Sequence, residues 1–265
     1  MSEVLNGPLK LSTPILINLI RRRGGEPHPT LASTPVFVEE DVQRTADQAV
    51  NTLLTEHGLM GPRGMDRDLL GLVESLSRPD LEYYGWFEGQ FPGSPPNFSV
   101  LAGSGSGGAF VLVRLIDEES VILAPERPEE LLAGFLNQIP QSRPGQGQPL
   151  IATKSEFVTG RDAAADDADF SVMRSARDVA RPAPAKAMKR LMGAPRTGAG
   201  SLYVAARSRG GSRRRCEKPL NFIDTTEGRW LMEERPARGE PLIVFTPATP
   251  QVLGDRLRNA QSALG

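Results

Sequence analysis

The sequence holds one cysteine, Cys216, and two histidines, His28 and His57. A single thiol excludes an internal disulfide and a cysteine-built zinc site, and two histidines leave little scope for histidine-based metal chemistry. Proline is abundant and aromatic residues are sparse at 6%, so connections should be many and short. No apolar run approaches the length of a membrane span, and the opening MSEVLNGPLKLS lacks the basic-then-apolar pattern of a secretory signal. The expectation is a cytoplasmic protein without membrane insertion. Neither sign of charge is in excess: 31 basic residues face 32 acidic ones, for a formal net charge of −1. That balance removes any global field drawing the chain to nucleic acid or lipid. Lysine is scarce, five against 26 arginines, a compositional bias rather than a binding signal.

What is present is a mixed pattern of periods, punctuated by 23 prolines and 27 glycines. Pro8 to Leu11 is a short strand candidate, followed by a helix with Thr13 as cap, Pro14 in its first turn and Ile15, Leu16, Leu19 and Ile20 as a buried stripe. Arg21 to Arg23 suit the negative end of that helix, and Gly24 stops it. Pro35 to Val38 is a second strand candidate. A helix over about 40–57 carries Val42, Ala46, Ala49, Val50, Leu53 and Leu54 on one side, with His57 as a capping residue. Another helix spans about 66–76. After Pro79 the period drops to two, and LEYYGWFEG, NFSVLAG, GAFVLVRLI and SVILAP read as an antiparallel meander. A helix opened by Pro128 follows. The stretch IPQSRPGQGQP, 139–149, is the best connector between an N-terminal half, 1–138, and a C-terminal half, 150–265, of a single unit. Beyond it, Ile151 to Phe157 reads as a strand, 161–192 as two or three helices broken near RPAP, and SLYVAARS, LNFIDT, GRWLMEER and PLIVFTP as four more strands. Thr249 and Pro250 then open a last helix.

The halves repeat each other: four strands, then a proline-started helix. Gly108-Ala-Phe-Val-Leu-Val aligns with Gly228-Arg-Trp-Leu-Met-Glu, and Pro128-Glu-Glu-Leu-Leu with Pro250-Gln-Val-Leu-Gly. Two copies sharing one core predict an α+β fold, a central, mostly antiparallel sheet with a pseudo-twofold repeat, flanked by helical bundles. The repeat also disposes of a nucleotide motif. Gly103-x-Gly105-x-x-Gly108 has dinucleotide-binding spacing, but that chemistry needs a helix after the glycines, and Ala109 to Ile116 is a β-branched run. Its counterpart in the second copy is a plain turn, Thr225 to Gly228.

With this order in place, the chain resembles the EspG family, chaperones of type VII (ESX) secretion substrates. The resemblance is carried by GAGSLYVAARSRGG, KPLNFIDTTEGRWLMEE and PLIVFTPATPQVLGDRLRNAQSAL, with Phe222 where the family pattern usually has Trp and Trp230 where it has Tyr. It extends in layout to the N-terminal half. The resemblance implies a cytosolic chaperone without a cofactor that binds the tip of a PPE-like or PE–PPE-type helical substrate and keeps it soluble for export. It places the contact on the loop between the second and third main strands, here 89–97, and on the C-terminal helical bundle. Candidate contact residues are Gln90, Phe91, Pro92 and Ser94 in the loop, and Phe170, Met173, Met188 and Met192 in the bundle. An aromatic on a proline-stiffened loop loses little entropy on binding, and methionines suit an adaptable surface. Phe91 could equally fold back onto the protein.

Other readings are weaker. The hairpin RSRGGSRRR, 207–215, could grip phosphates as a nucleic-acid-binding module, but it lacks interleaved aromatics, and a solvated turn is preferred. Asp162, Asp166, Asp167 and Asp169 suit a helix start better than a cation site. No nucleophile, base pair or phosphate loop supports an enzyme. Arginines beside Cys216 could raise its reactivity without giving it a function. Weak homodimerisation is left open.

Overall fold

The computed structural model describes residues 7–31, 39–159, 183–208 and 211–264. One sheet organises the chain, with strand order β1-β7-β6-β5-β4-β9-β11-β12-β13-β8. The first-half strands are β1 (Leu9–Ser12), β4 (Leu81–Gly89), β5 (Asn97–Gly105), β6 (Gly108–Leu115) and β7 (Ser120–Glu126). Their second-half counterparts are β8 (Leu150–Thr153), β9 (Arg196–Arg207), β11 (Leu220–Thr225), β12 (Gly228–Arg235) and β13 (Leu242–Pro247). Every pairing in this sheet is antiparallel. The order reads the same from either edge, so an approximate twofold axis passes between β4 and β9. Their ladder runs from Leu81–Ala206 to Gly89–Gly198 and is centred on Gly85–Leu202. Small strands β2 (Met60–Gly61) and β3 (Gly64–Met65) form a separate hairpin, and β10 (Arg213–Arg215) pairs only with β9.

Alternation along the strands sends side chains to two faces, each of which needs a cover. On one face, Tyr83, Phe87, Val100, Leu202, Val204 and Leu231 pack under α4 (Leu131–Asn137) and α7 (Pro250–Ser262). On the other, the first half carries Leu101, Phe110 and Leu112 under α1 (Thr13–Arg22), α2 (Glu40–Glu56) and α3 (Arg67–Ser77). The second half carries Ile223, Trp230 and Phe245 on that same face, under α5 (Lys154–Thr159) and α6 (Pro184–Gly193). Two helical layers thus share one face, with the twofold axis between them.

The glycines at 105 and 108 make a hairpin turn. Gly105 pairs with Gly108 as Thr225 pairs with Gly228. Gly108 and Gly228 have φ of 118° and 112°, a region closed to most side chains. Ser75 of α3 donates to the Gly108 carbonyl at 2.9 Å, so the turn is packed against a helix. The motif Asp224-Thr225…Gly228-Arg229 is also structural. Arg229 and Asp224 face each other across β11–β12, form a bidentate pair at 2.7 Å through both oxygens and are 4% and 3% exposed. The guanidinium also lies 4.1 Å from the centroid of Phe222, so one face and the hydrogen-bonding edge are both occupied.

Four expectations need correction. Thr13 does not cap α1: it begins the helix, its Oγ1 is buried without a partner, and its N–H donates to the Glu119 carbonyl. Val42, Ala46, Ala49 and Leu53 of α2 face outward, and only Val50 and Leu54 of that helix are buried. The strand expected over 151–157 ends at Thr153, where a capping box turns the chain into α5: the Glu156 N–H donates to Thr153 Oγ1, and the Thr153 N–H donates to Glu156 Oε2. The triple arginine does more than complement a helix end, since Arg21 and Arg22 bind Asp47 of α2 and Arg23 binds Glu74 of α3. The strand expected at 35–38, the acidic cluster at 162–169 and the helices of 161–182 lie outside the described residues.

Candidate functional site

Two loops occupy symmetric places at opposite ends of the β4–β9 ladder: 90–96 after β4 and 208–219 after β9. In the first, Phe91 is not an exposed anchor. Its ring is 8% exposed, 6.3 Å edge-on from Phe98, and lies over Gly198 of β9. A Cβ at Gly198 would stand 2.3 Å from the ring, so only glycine leaves the slot open. The Gln90 N–H donates to the Thr197 carbonyl at 2.8 Å, and the Ser94 N–H closes a turn on the Phe91 carbonyl. The loop is therefore folded onto the sheet, with Gln90 and Pro92 exposed and Ser94 half-buried above it.

Of the bundle residues, Met188 is fully buried under the sheet. Its side chain packs into the protein's own core rather than on the adaptable surface expected for it. Met192 is half-buried and belongs to the apolar cluster that includes Ile223 and Met232. Phe170 and Met173 fall outside the described residues.

Beside Ile223 and Met232 of this cluster, a groove of about 370 Å³ opens on the sheet face that bears the two helical layers. Trp86, Ser201, Asn221 and Met232 line it, with Asn97 and Arg196 at the loop end. They arise from β4, β5, β9, β11 and β12, and the floor residues share one face by alternation. The floor is mixed in chemistry. Trp86 is half-buried and stands edge-on to Tyr203 at 5.6 Å, while Ser201 Oγ donates to Asn221 Oδ1 at 2.7 Å. Sequence reasoning did not pick out this set, although the alternation of Glu82, Tyr84, Trp86 and Glu88 along β4 carried a signal for part of it. A larger opening of about 870 Å³, between residues 141–146 and the β11–β12 turn, is lined by Gln141, Ser142, Thr225 and Glu227 without an apolar floor.

The second loop is held by charge, which differs from the solvated turn expected. β10 pairs Arg213 with Arg207 and Arg215 with Ala205. Arg213 reaches back to Glu82 of β4, which is 2% exposed, and its Nη2 lies 3.4 Å from His28 Nε2. Burial pushes the Glu82 carboxyl up, against the pull of Arg213. Burial, helped by the Arg213 charge, lowers His28 to about 3, so the ring is neutral; its Nδ1 meets Thr30 Oγ1 at 2.8 Å. Arg207 donates to the carbonyls of Pro79 and Gly211, and Arg214 donates to that of Leu264. Cys216 is half-buried and its Sγ accepts the Val204 N–H at 3.4 Å. No cluster of His, Cys, Asp and Glu suited to a metal occurs among the described residues, and no helix among them is long and apolar enough to cross a membrane.

A twofold antiparallel sheet with paired helical layers is a fold already seen in a solved structure. The whole chain superposes on the Mycobacterium tuberculosis type VII secretion system chaperone EspG5, solved in complex with a PE25–PPE41 dimer. The TM-score is 0.63 at 15% identity, covering 98% of this chain and 97% of that one. The EspG family model matches residues 20–259, and the chain belongs to the EspG family. No curated protein matches it.

Proposed function

We propose that this chain is a cytosolic type VII secretion chaperone that binds the apolar tip of a helical, PE–PPE-type substrate and keeps it soluble until export, without chemistry. The observation that carries the proposal is the groove beside loop 89–97, with half-buried Trp86 and Met232 exposed to solvent between polar rims. Membership of the EspG family and the shared fold with EspG5 support the same reading. An apolar centre with a polar edge suits reversible capture: the centre provides the affinity, and the edge lets the partner leave intact. Phe91 serves as the strut that fixes the loop, which keeps Gln90, Pro92 and Ser94 as proposed contacts at the loop end, with Met192 packed behind Met232. Phe170 and Met173 remain proposed contacts from the bundle.

Pairwise co-expression with PE–PPE-type heterodimers tests this. One of them should co-purify with the wild-type chain. Asn97→Trp, which fills the groove from an exposed position, should weaken that complex by roughly thirtyfold, as loss of a central anchor does, with an unchanged melting temperature. A groove-filled variant that binds as tightly as wild type would move the site elsewhere on the protein. A nucleic-acid role for 207–215 gains no support, because Arg207, Arg213 and Arg214 are bonded within the protein.

A further inference from the structure

We propose that the docking face is bipolar, and that its occupant is a helical segment carrying carboxylates on both sides of its apolar anchor. This rests on the groove being the docking site. The face continues beyond the groove along the central strands. Trp86 contacts Tyr203, and Arg215 of β10 lies over the Tyr203 ring at 5.2 Å from its centroid. At the other end, Arg196 lines the groove beside loop 89–97. Both arginines are exposed, and neither has a carboxylate partner among the described residues.

Their neighbours are neutralised. Arg213 is paired with Glu82, and Lys218 and Lys154 with Glu234. Glu88, exposed at the loop end, and Glu217, beside the hairpin, are the acidic groups nearest these two arginines, neither of which has a carboxylate partner among the described residues. A guanidinium laid on an aromatic ring keeps its hydrogen-bonding edge outward and loses less freedom when it binds a carboxylate. Arg215 is stacked in this way before any partner arrives, with part of its edge on the Tyr84 hydroxyl and the rest without a carboxylate. The strip from Arg196 through Trp86 and Tyr203 to Arg215 follows β9 from its first residue to the strand that pairs with its end. At about 3.3 Å per residue this is on the order of 30 Å, the length of several helical turns. A helix lying along it meets a cation, an apolar centre and a second cation in turn. Opposite charge at those two places sets orientation and excludes basic or neutral tips of the same shape.

The test uses whichever heterodimer binds the wild-type chain in the co-expression experiment. Its dissociation constant is measured at low and at physiological salt for wild type, Arg215→Glu, Arg215→Gln, Arg196→Glu, and the distant control Arg238→Glu. Arg215→Glu and Arg196→Glu should each weaken binding about tenfold or more at low salt and flatten its salt dependence, with Arg215→Gln intermediate and the control unchanged. Melting temperatures confirm folding; if Arg215→Glu is unstable, the Gln and Arg196 variants decide. Wild-type affinity and salt dependence in all three variants would overturn the bipolar assignment. If Asn97→Trp still weakens binding in that case, the groove stands and only its charge selectivity is lost. If no heterodimer binds the wild type at all, both fall together.

Discussion

The two loops at the ends of the central ladder are related by the same pseudo-twofold axis, yet opposite physics holds them. Loop 90–96 is fixed by an aromatic ring buried over a glycine. Hairpin 208–219 is fixed by an arginine that reaches a buried glutamate. The repeat thus conserves the position of an element and not the interaction that secures it. The difference is measurable, because hydrophobic burial ignores salt and pH while a partly buried ion pair does not.

The largest effect is expected at Phe91. Removing a buried ring from a packed core costs about 3–5 kcal/mol, so Phe91→Ala should lower stability by that order in denaturant melts, with no dependence on salt. Gly198→Ala attacks the same contact from the other side by overpacking, at about 1–3 kcal/mol. The two should not add: with the ring gone, the extra methyl has space, and the second substitution should cost little. Additive losses would mean that the ring and the slot do not act as one unit.

Breaking the hairpin's tie comes next. Arg213→Ala leaves Glu82 buried without its cation. The cost should fall at the low end of about 3–5 kcal/mol, since the Arg213 side chain keeps 31% exposure. Unlike the Phe91 loss, it should shrink as pH is lowered, because the stranded Glu82 can take up a proton. A pH-independent loss would show that Arg213 matters for packing alone.

These contrasts bear on what the sequence made legible. Period-two and period-3.6 patterns, proline starts and glycine stops located nearly every strand and helix, because those signals are local. The capping box Thr153-x-x-Glu156 is also a local signal, but the apolar run from Ile151 carries the strand pattern across it. Phe91 was misleading for a different reason. An aromatic between prolines and glycines looks exposed, and the slot that receives it is Gly198, from the other half of the chain. The arginine hairpin failed in the same way, since its partner Glu82 lies in an apparently alternating strand. Groove residues such as Ser201, Asn221 and Met232 carry no individual signal and become a site only once four strands lie side by side.

A separate effect should appear in the pH dependence of the wild type. His28 titrates near 6.5 when unfolded and at about 3 when folded. Between those values the unfolded chain binds more protons, so stability is full above the upper value and is lost as pH falls toward the lower one. Glu82 opposes this: its raised folded value means that acidification through its own window favours the folded state. The groups facing His28 are Glu82, Arg213 and the Tyr84 ring, 4.6 Å away. His28→Asn should remove the acid-side loss and leave a shallower profile of opposite sign. A profile identical to wild type would mean that His28 does not carry the acid sensitivity.

The smallest change is expected from removing both members of the hairpin's ion pair. Replacing a buried charge pair by apolar groups of similar volume is often neutral or mildly stabilising, because the desolvation cost disappears along with the attraction. Glu82 fits that case: it is 2% exposed, and its Oε2 has no hydrogen-bond partner, so even with Arg213 in place half of the carboxylate is unsatisfied. Glu82→Met combined with Arg213→Met should therefore lie within about 1 kcal/mol of wild type, far from the loss in Arg213→Ala alone. What the double variant should lose is placement. Arg215 is held over Tyr203 by β10, and β10 is aligned by Arg213, so partner affinity should fall where stability does not. A double variant as unstable as the single one would show that the pair is a net source of stability. A double variant with wild-type stability and wild-type affinity would show that backbone pairing of β10 with β9 positions the hairpin without the ion pair.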